Sequence, residues 1–142
     1  MSTDVSPAAS QDIPWDALFD AAARVRERAH APYSRFPVGA AVLYPDGAVV
    51  AGCNVENSSY GLSVCAERNA LGAGVAQRRG RPLAVAIVVD TPTPCPPCGM
   101  CRQVMLEFAP RELPVRSRNL KGDEARYSLG ELLPHAFTSD FL

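Results

Sequence analysis

Leu83 to Val89 is an uninterrupted apolar run, with Arg81-Pro82 before it and Asp90-Thr91-Pro92 after it. A strand without alternating polar positions has to be covered on both faces, as in the middle of an α/β sheet. The rest of the chain must therefore supply helices for two sides. Trp15, Leu18, Phe19, Ala22, Val25 and Ala29 recur at helical spacing, with Pro14 in the first turn and Pro32 beyond the end. Val38 to Tyr44 and Ala48 to Val55 read as a hairpin about the turn Pro45-Asp46-Gly47. A second helix is predicted from Cys65 to about Gln77, and a third from about Cys98 with Met100, Val104, Met105 and Phe108 turned inward. Gln77-Arg78-Arg79-Gly80-Arg81 reads as a basic helix end with a glycine stop. Short strands are expected at Pro114 to Arg118 and Ala125 to Tyr127. Ser128-Leu129-Gly130-Glu131 has the form of a capping box ahead of a last helix stopped by Pro134. The order α-β-β-α-β-α-β-β-α predicts an α/β fold, one sheet with helices on both faces. Residues 1–12, small and polar, read as a mobile arm before a single domain over 13–142.

Composition narrows the class. At 47% apolar and 20% charged residues, the chain has the mix of a globular domain. A net charge of -1 gives no general attraction to polyanions, so nucleic acid is not an expected partner. The first dozen residues have no basic and apolar leader pattern, and no run is long enough to span a bilayer. A cytoplasmic location without membrane contact is expected. In such a reducing compartment, an odd set of five cysteines containing Cys98-Gly99-Met100-Cys101 reads as metal-binding or redox-active before it reads as a disulfide.

Cys98 and Cys101, three apart in a first helical turn, share a face. Cys65 opens the other helix. Helix N-termini favour anions, so all three positions suit thiolates. Three protein ligands leave a tetrahedral zinc one open place for water. Glu67 is the expected acid/base. Residues two apart on a helix do not share a face, so Cys65 must sit at or before the helix start for Glu67 to overlook the metal. Zinc with three thiolates carries a net -1, which weakens activation of water unless compensated. Arg68, next to the site, is the expected compensating donor. Cys95 leaves a closed four-sulfur zinc site or an iron–sulfur cluster open as alternatives. Against them, Pro96-Pro97 extend the chain and set Cys95 about 9 Å from Cys98 at ~3.1 Å per residue. Cys53 reads as a buried strand residue.

Five segments taken together resemble the small homotetrameric cytidine deaminases. They are Pro32-Tyr33-Ser34-Arg35-Phe36-Pro37-Val38-Gly39-Ala40, Gly52-Cys53-Asn54-Val55-Glu56-Asn57, Cys65-Ala66-Glu67-Arg68, the run from Pro97 through Met105, and Glu131-Leu132-Leu133-Pro134. The resemblance implies a three-layer α/β/α fold with a mixed five-stranded sheet and one zinc per chain on Cys65, Cys98 and Cys101. By the same likeness Phe36 stacks on the pyrimidine, Asn54 and Glu56 bond the ribose, and the backbone of Ala66 holds the base. Tyr60 and Phe137 would reach a neighbouring subunit's pocket in a homotetramer. The implied reaction is zinc-assisted hydration at C4 of cytidine or 2'-deoxycytidine in pyrimidine salvage, with Glu67 as proton shuttle and ammonia as product. On their own, Phe36 reads equally as core, Asn54 and Glu56 as turn residues, and Tyr60 and Phe137 as partly buried aromatics. One departure is Pro96, where relatives often carry Ser or Thr; the hydroxyl and the N–H are gone and only the carbonyl remains. Deaminases of nucleotides or polynucleotides fit less well, because no Gly-rich loop or clustered Arg adjoins the motifs. A zinc- or cluster-stabilised binding module without catalysis is the rival from another class.

Overall fold

The apolar run becomes the central strand of a five-stranded sheet in the computed structural model, which describes residues 12–142. In chain order the elements are α1 (Trp15–Arg26), β1 (Val38–Leu43), β2 (Val49–Cys53), α2 (Ala66–Ala76) and β3 (Ala84–Val89). They continue with α3 (Gly99–Phe108), β4 (Pro114–Arg118), β5 (Glu124–Ser128) and α4 (Leu129–Leu132). Single 3-10 turns occupy Tyr60–Leu62 and Ser139–Phe141. The strands lie in the order β2-β1-β3-β4-β5. Only β3 and β4 run parallel, and the crossover that a parallel pair requires is supplied by α3. The sheet is mixed, as expected.

Every residue of β3 is buried, and its side chains divide by parity. Ala84, Ala86 and Val88 meet α1 through Leu18, Phe19 and Ala22. Val85, Ile87 and Val89 face the other core, with Leu71 from α2, Met105 and Cys101 from α3, and Leu129 from α4. The two-sided covering demanded by the sequence is therefore met by one helix on one face and three on the other. On the α1 face, Arg116 and Arg118 of β4 stack over Trp15 and Phe19 at 4.2 and 4.0 Å from the ring centroids.

Element ends agree with the sequence reading to within a few residues, and the differences have local causes. Arg28 and Ala29 leave the first helix in turns, donating to the carbonyls of Val25 and Arg26. The hairpin turns where Gly47 adopts φ 87, with the Ala48 N–H bonded to the Asp46 carboxylate at 3.0 Å. The capping box is formed in both directions between Ser128 and Glu131. The left-handed residue that ends α2 is Arg78, φ 56, two positions ahead of Gly80. Cys53 ends β2 half-buried rather than buried. Met100 does not turn inward. It is 61% exposed, because Cys101 and Met105, one helical row over, take the core side, while Val104 and Phe108 flank it half-buried. The mobile arm read in residues 1–12 lies outside the described residues except for Asp12, which is exposed. Among the described residues no helix is long and apolar enough to cross a membrane.

Gly52 sets how closely α2 approaches the sheet. A Cβ there would fall 2.6 Å from the Ala70 nitrogen and 2.8 Å from the Ala66 oxygen, both backbone atoms that cannot swing aside. Gly52→Ala is expected to destabilise the fold by about 1–3 kcal/mol, the range for overpacking. A melting curve checks this; an unchanged Tm would mean that α2 does not pack on β2 at this distance.

Candidate active site

Cys65 and Cys98 are the N-cap residues of α2 and α3, both with extended backbone (ψ 157 and 166), and Cys101 is the third residue of α3. Two helix N-termini thus meet over the end of β3. The sulfurs of Cys65 and Cys98 are 3.6 Å apart and those of Cys98 and Cys101 3.4 Å apart, and the three lie within 4.8 Å of one another. Thiolates about 2.3 Å from a tetrahedral zinc would stand roughly 3.8 Å apart, so the donor set fits that ion. Cys95 is not in the cluster; its S–H points to the Pro96 carbonyl at 3.4 Å. That contact also uses the carbonyl left free by the Pro96 departure. The four-sulfur alternatives lose their fourth ligand.

The electrostatics follow from this geometry. The Cys65 thiol is drawn down to about 5, first by its hydrogen bond with Cys101 and then by Arg68 and Cys98. Cys101 is pushed up by the same bond to Cys65 and by burial. Adjacent thiolates repel, so ionising the whole trio calls for a cation among them. Arg68 donates from one Nη to the Ser63 carbonyl at 3.2 Å and to the Cys65 sulfur at 3.9 Å. Its buried Nε has no partner. Burial would lower the Arg68 pKa, and the Cys65 thiolate more than offsets it.

Glu67 is 5% exposed, and burial pushes its carboxyl up to about 7, with the Cys65 charge adding to the rise. With Cys65 at the cap, Glu67 is the second residue of α2, the register that lets both serve one site. Glu67, Cys65, Cys98, Ala66, Asn54 and Phe36 all line one cavity of about 440 Å³. A carboxyl poised near neutrality beside a set of metal-ligating thiols can move protons during a reaction.

The remaining expected residues are placed elsewhere. Glu56 and Tyr60 line a second hollow of about 290 Å³, with Tyr33, Ser34 and Ser63. Phe137 is 59% exposed and borders a third, smaller one beside Gln103. Asn54 to Glu56 form a short ribbon: His30 exchanges backbone hydrogen bonds with Asn54 and Glu56, and Val55 does so with Val64. This ribbon ties the loop carrying Phe36 to the entry of α2. Within it, the Asn54 Oδ1 accepts from the Val38 N–H at 2.8 Å and its Nδ2 donates to the Phe36 carbonyl at 2.9 Å.

Two residues that stand in the quoted segments without an assigned role matter here. Arg102 lines the main cavity and donates to the carbonyls of Pro97 and Leu132, both at 2.8 Å, holding the segment that precedes Cys98. Its place one residue after Cys101 was the available signal. Ser34 bonds the Glu56 carboxylate, and a Ser two residues before Phe36 is the mark of a local hydroxyl turn.

Comparison with known proteins identifies the family. The family model described as the cytidine and deoxycytidylate deaminase zinc-binding region matches residues 15–117. Cytidine deaminase from Halalkalibacterium halodurans is 50% identical over 123 residues, which is 87% of this chain and 93% of that protein. The Mycobacterium tuberculosis enzyme is 47% identical over 135 residues, covering 92% and 95%. A crystal structure of cytidine deaminase from Burkholderia pseudomallei superposes with a TM-score of 0.85 at 49% identity, covering 88% of this chain and 100% of that one. Since the matched span takes in all three clustered sulfurs and Glu67, the chain belongs to the zinc-binding cytidine and deoxycytidylate deaminase family.

Proposed function

We propose that this chain hydrolyses cytidine, 2'-deoxycytidine or both to the corresponding uridines and ammonia, as a step in pyrimidine salvage. The observation that carries the reading is the buried Glu67 carboxyl in the wall of the same cavity as two of the clustered sulfurs. Cys65, Cys98 and Cys101 would hold one zinc, and a bound zinc supplies a Lewis acid that makes water a nucleophile near neutral pH. Glu67 takes the proton lost as water adds at C4 and delivers it to N3 of the pyrimidine. It then carries the proton of the new hydroxyl to the C4 amine, which leaves as ammonia while the C4 carbonyl forms. Phe36 stacks on the base and the Ala66 backbone holds its edge, and the ribose lies between Asn54 of this cavity and Glu56 of the second hollow. Arg68 offsets the surplus thiolate charge.

The cavity favours a neutral nucleoside over its phosphate. Arg102, the Lys or Arg in its lining, already spends Nε and Nη1 on carbonyls. In a homotetramer with shared pockets, Tyr60 and Phe137 would be the residues that enter a neighbouring copy's site, and their exposure of 72% and 59% is compatible with that. The cytoplasm is the compartment of this reading, and five free cysteines are compatible with its reducing conditions.

Glu67→Gln should retain zinc and lose at least ~100-fold in kcat on cytidine, followed by ultraviolet absorbance. Full turnover in that variant would end the catalytic reading. Cys95→Ser should keep both metal content and activity, whereas release of metal would restore a structural four-sulfur site. Arg68→Gln should weaken zinc retention against a chelator or slow turnover; unchanged metal content and kinetics would make Arg68 a bystander.

A further inference from the structure

The Glu56 carboxylate has most of its acceptor capacity filled before any ligand arrives. Its Oε1 accepts from the backbone N–H groups of Tyr33 at 3.0 Å and Ser34 at 3.2 Å, and its Oε2 accepts from the Ser34 hydroxyl. A carboxylate offers about four acceptor sites, so roughly one is left, on Oε2. Glu56 lines one hollow together with Ser34, Tyr33 and Tyr60. The Ser34 hydroxyl is itself fixed, because it accepts from the Phe36 N–H at 3.0 Å. Its single proton is therefore committed to Glu56.

The backbone between Ser34 and Phe36 is strained in a way that needs this support. Arg35 has φ 56, the left-handed region, and a non-glycine stays there only where its surroundings over-determine it. The Arg35 N–H bonds the Ala31 carbonyl at 2.9 Å, and Asn54 clamps the chain just beyond at Phe36 and Val38. Ser34 is the side chain in this loop that reaches Glu56 itself.

We propose that Ser34 is a positioning residue for nucleoside recognition, holding the Glu56 carboxylate so that its last acceptor site meets one sugar hydroxyl. The inference rests on the reading above that Glu56 receives the ribose. Ser34 touches no reacting atom; it acts through Glu56, and its contribution is felt only by ligands that carry the hydroxyl.

Steady-state kinetics on cytidine and on 2',3'-dideoxycytidine test this, with the native chain, Ser34→Ala, Ser34→Thr, Glu56→Gln and the Ser34→Ala/Glu56→Gln double variant. Ser34→Ala should raise KM for cytidine roughly 5- to 10-fold, the scale of one ordinary net hydrogen bond, with kcat within about twofold. The same substitution should leave KM for the dideoxynucleoside unchanged, and Ser34→Thr should restore the native value. The double variant should be no worse than Glu56→Gln alone. Equal losses on both substrates, or losses that multiply in the double variant, would overturn the positioning role while the ribose reading stands. If Glu56→Gln alone left KM for cytidine untouched, the ribose reading would fall and the proposal with it.

Discussion

Three sulfurs can converge only if two helices start at the same place, and much of the described chain serves that requirement. The N-terminus of α2 is brought over the sheet by its close approach to Gly52, and that of α3 by the crossover from β3 to β4. Their partial positive charges then point at a common site, which lowers the cost of gathering anionic ligands there. Ile87 and Val89 at the carboxyl end of β3 form part of the same cavity wall, the location where open α/β sheets commonly bind ligands.

The cap geometry also resolves a tension between spacing and chemistry. Two residues separated by one position diverge on a regular helix, yet the proposed reaction needs Cys65 and Glu67 to act together. Leaving Cys65 extended at ψ 157 and Glu67 helical redirects one side chain relative to the other. The apolar surroundings that bury Glu67 then favour its neutral form, while the neighbouring Arg68 favours the ionised one. The carboxyl is held between two opposing influences, as a reversible proton carrier needs to be.

Much of this was legible because the signals were local. The apolar run, the capping box and the cysteine spacing each depend on a few adjacent residues, and each appears where the pattern placed it. Met100 departs from its expected inward position because Cys101, a member of the sulfur trio, also takes the core side of α3 with Met105. The left-handed Arg35 and Arg78 carry no composition signal, since tertiary contacts and not side-chain preference put them there. The ribbon through Val55 was equally hidden: isolated bridges to His30 and Val64 join segments far apart in the chain. Asn54 and Glu56, a pair in the sequence, consequently open onto different hollows.

Cys101 belongs to two assemblies at once. It is fully buried in the core beneath the sheet, beside Met105 and Leu71, and it is also a member of the sulfur trio. An ion held by the trio would therefore also stabilise the fold by mass action, by about 4 kcal/mol at a free concentration 1,000 times Kd. A screen for thermal resilience and a screen for turnover would both select at this position, for reasons neither assay alone could separate.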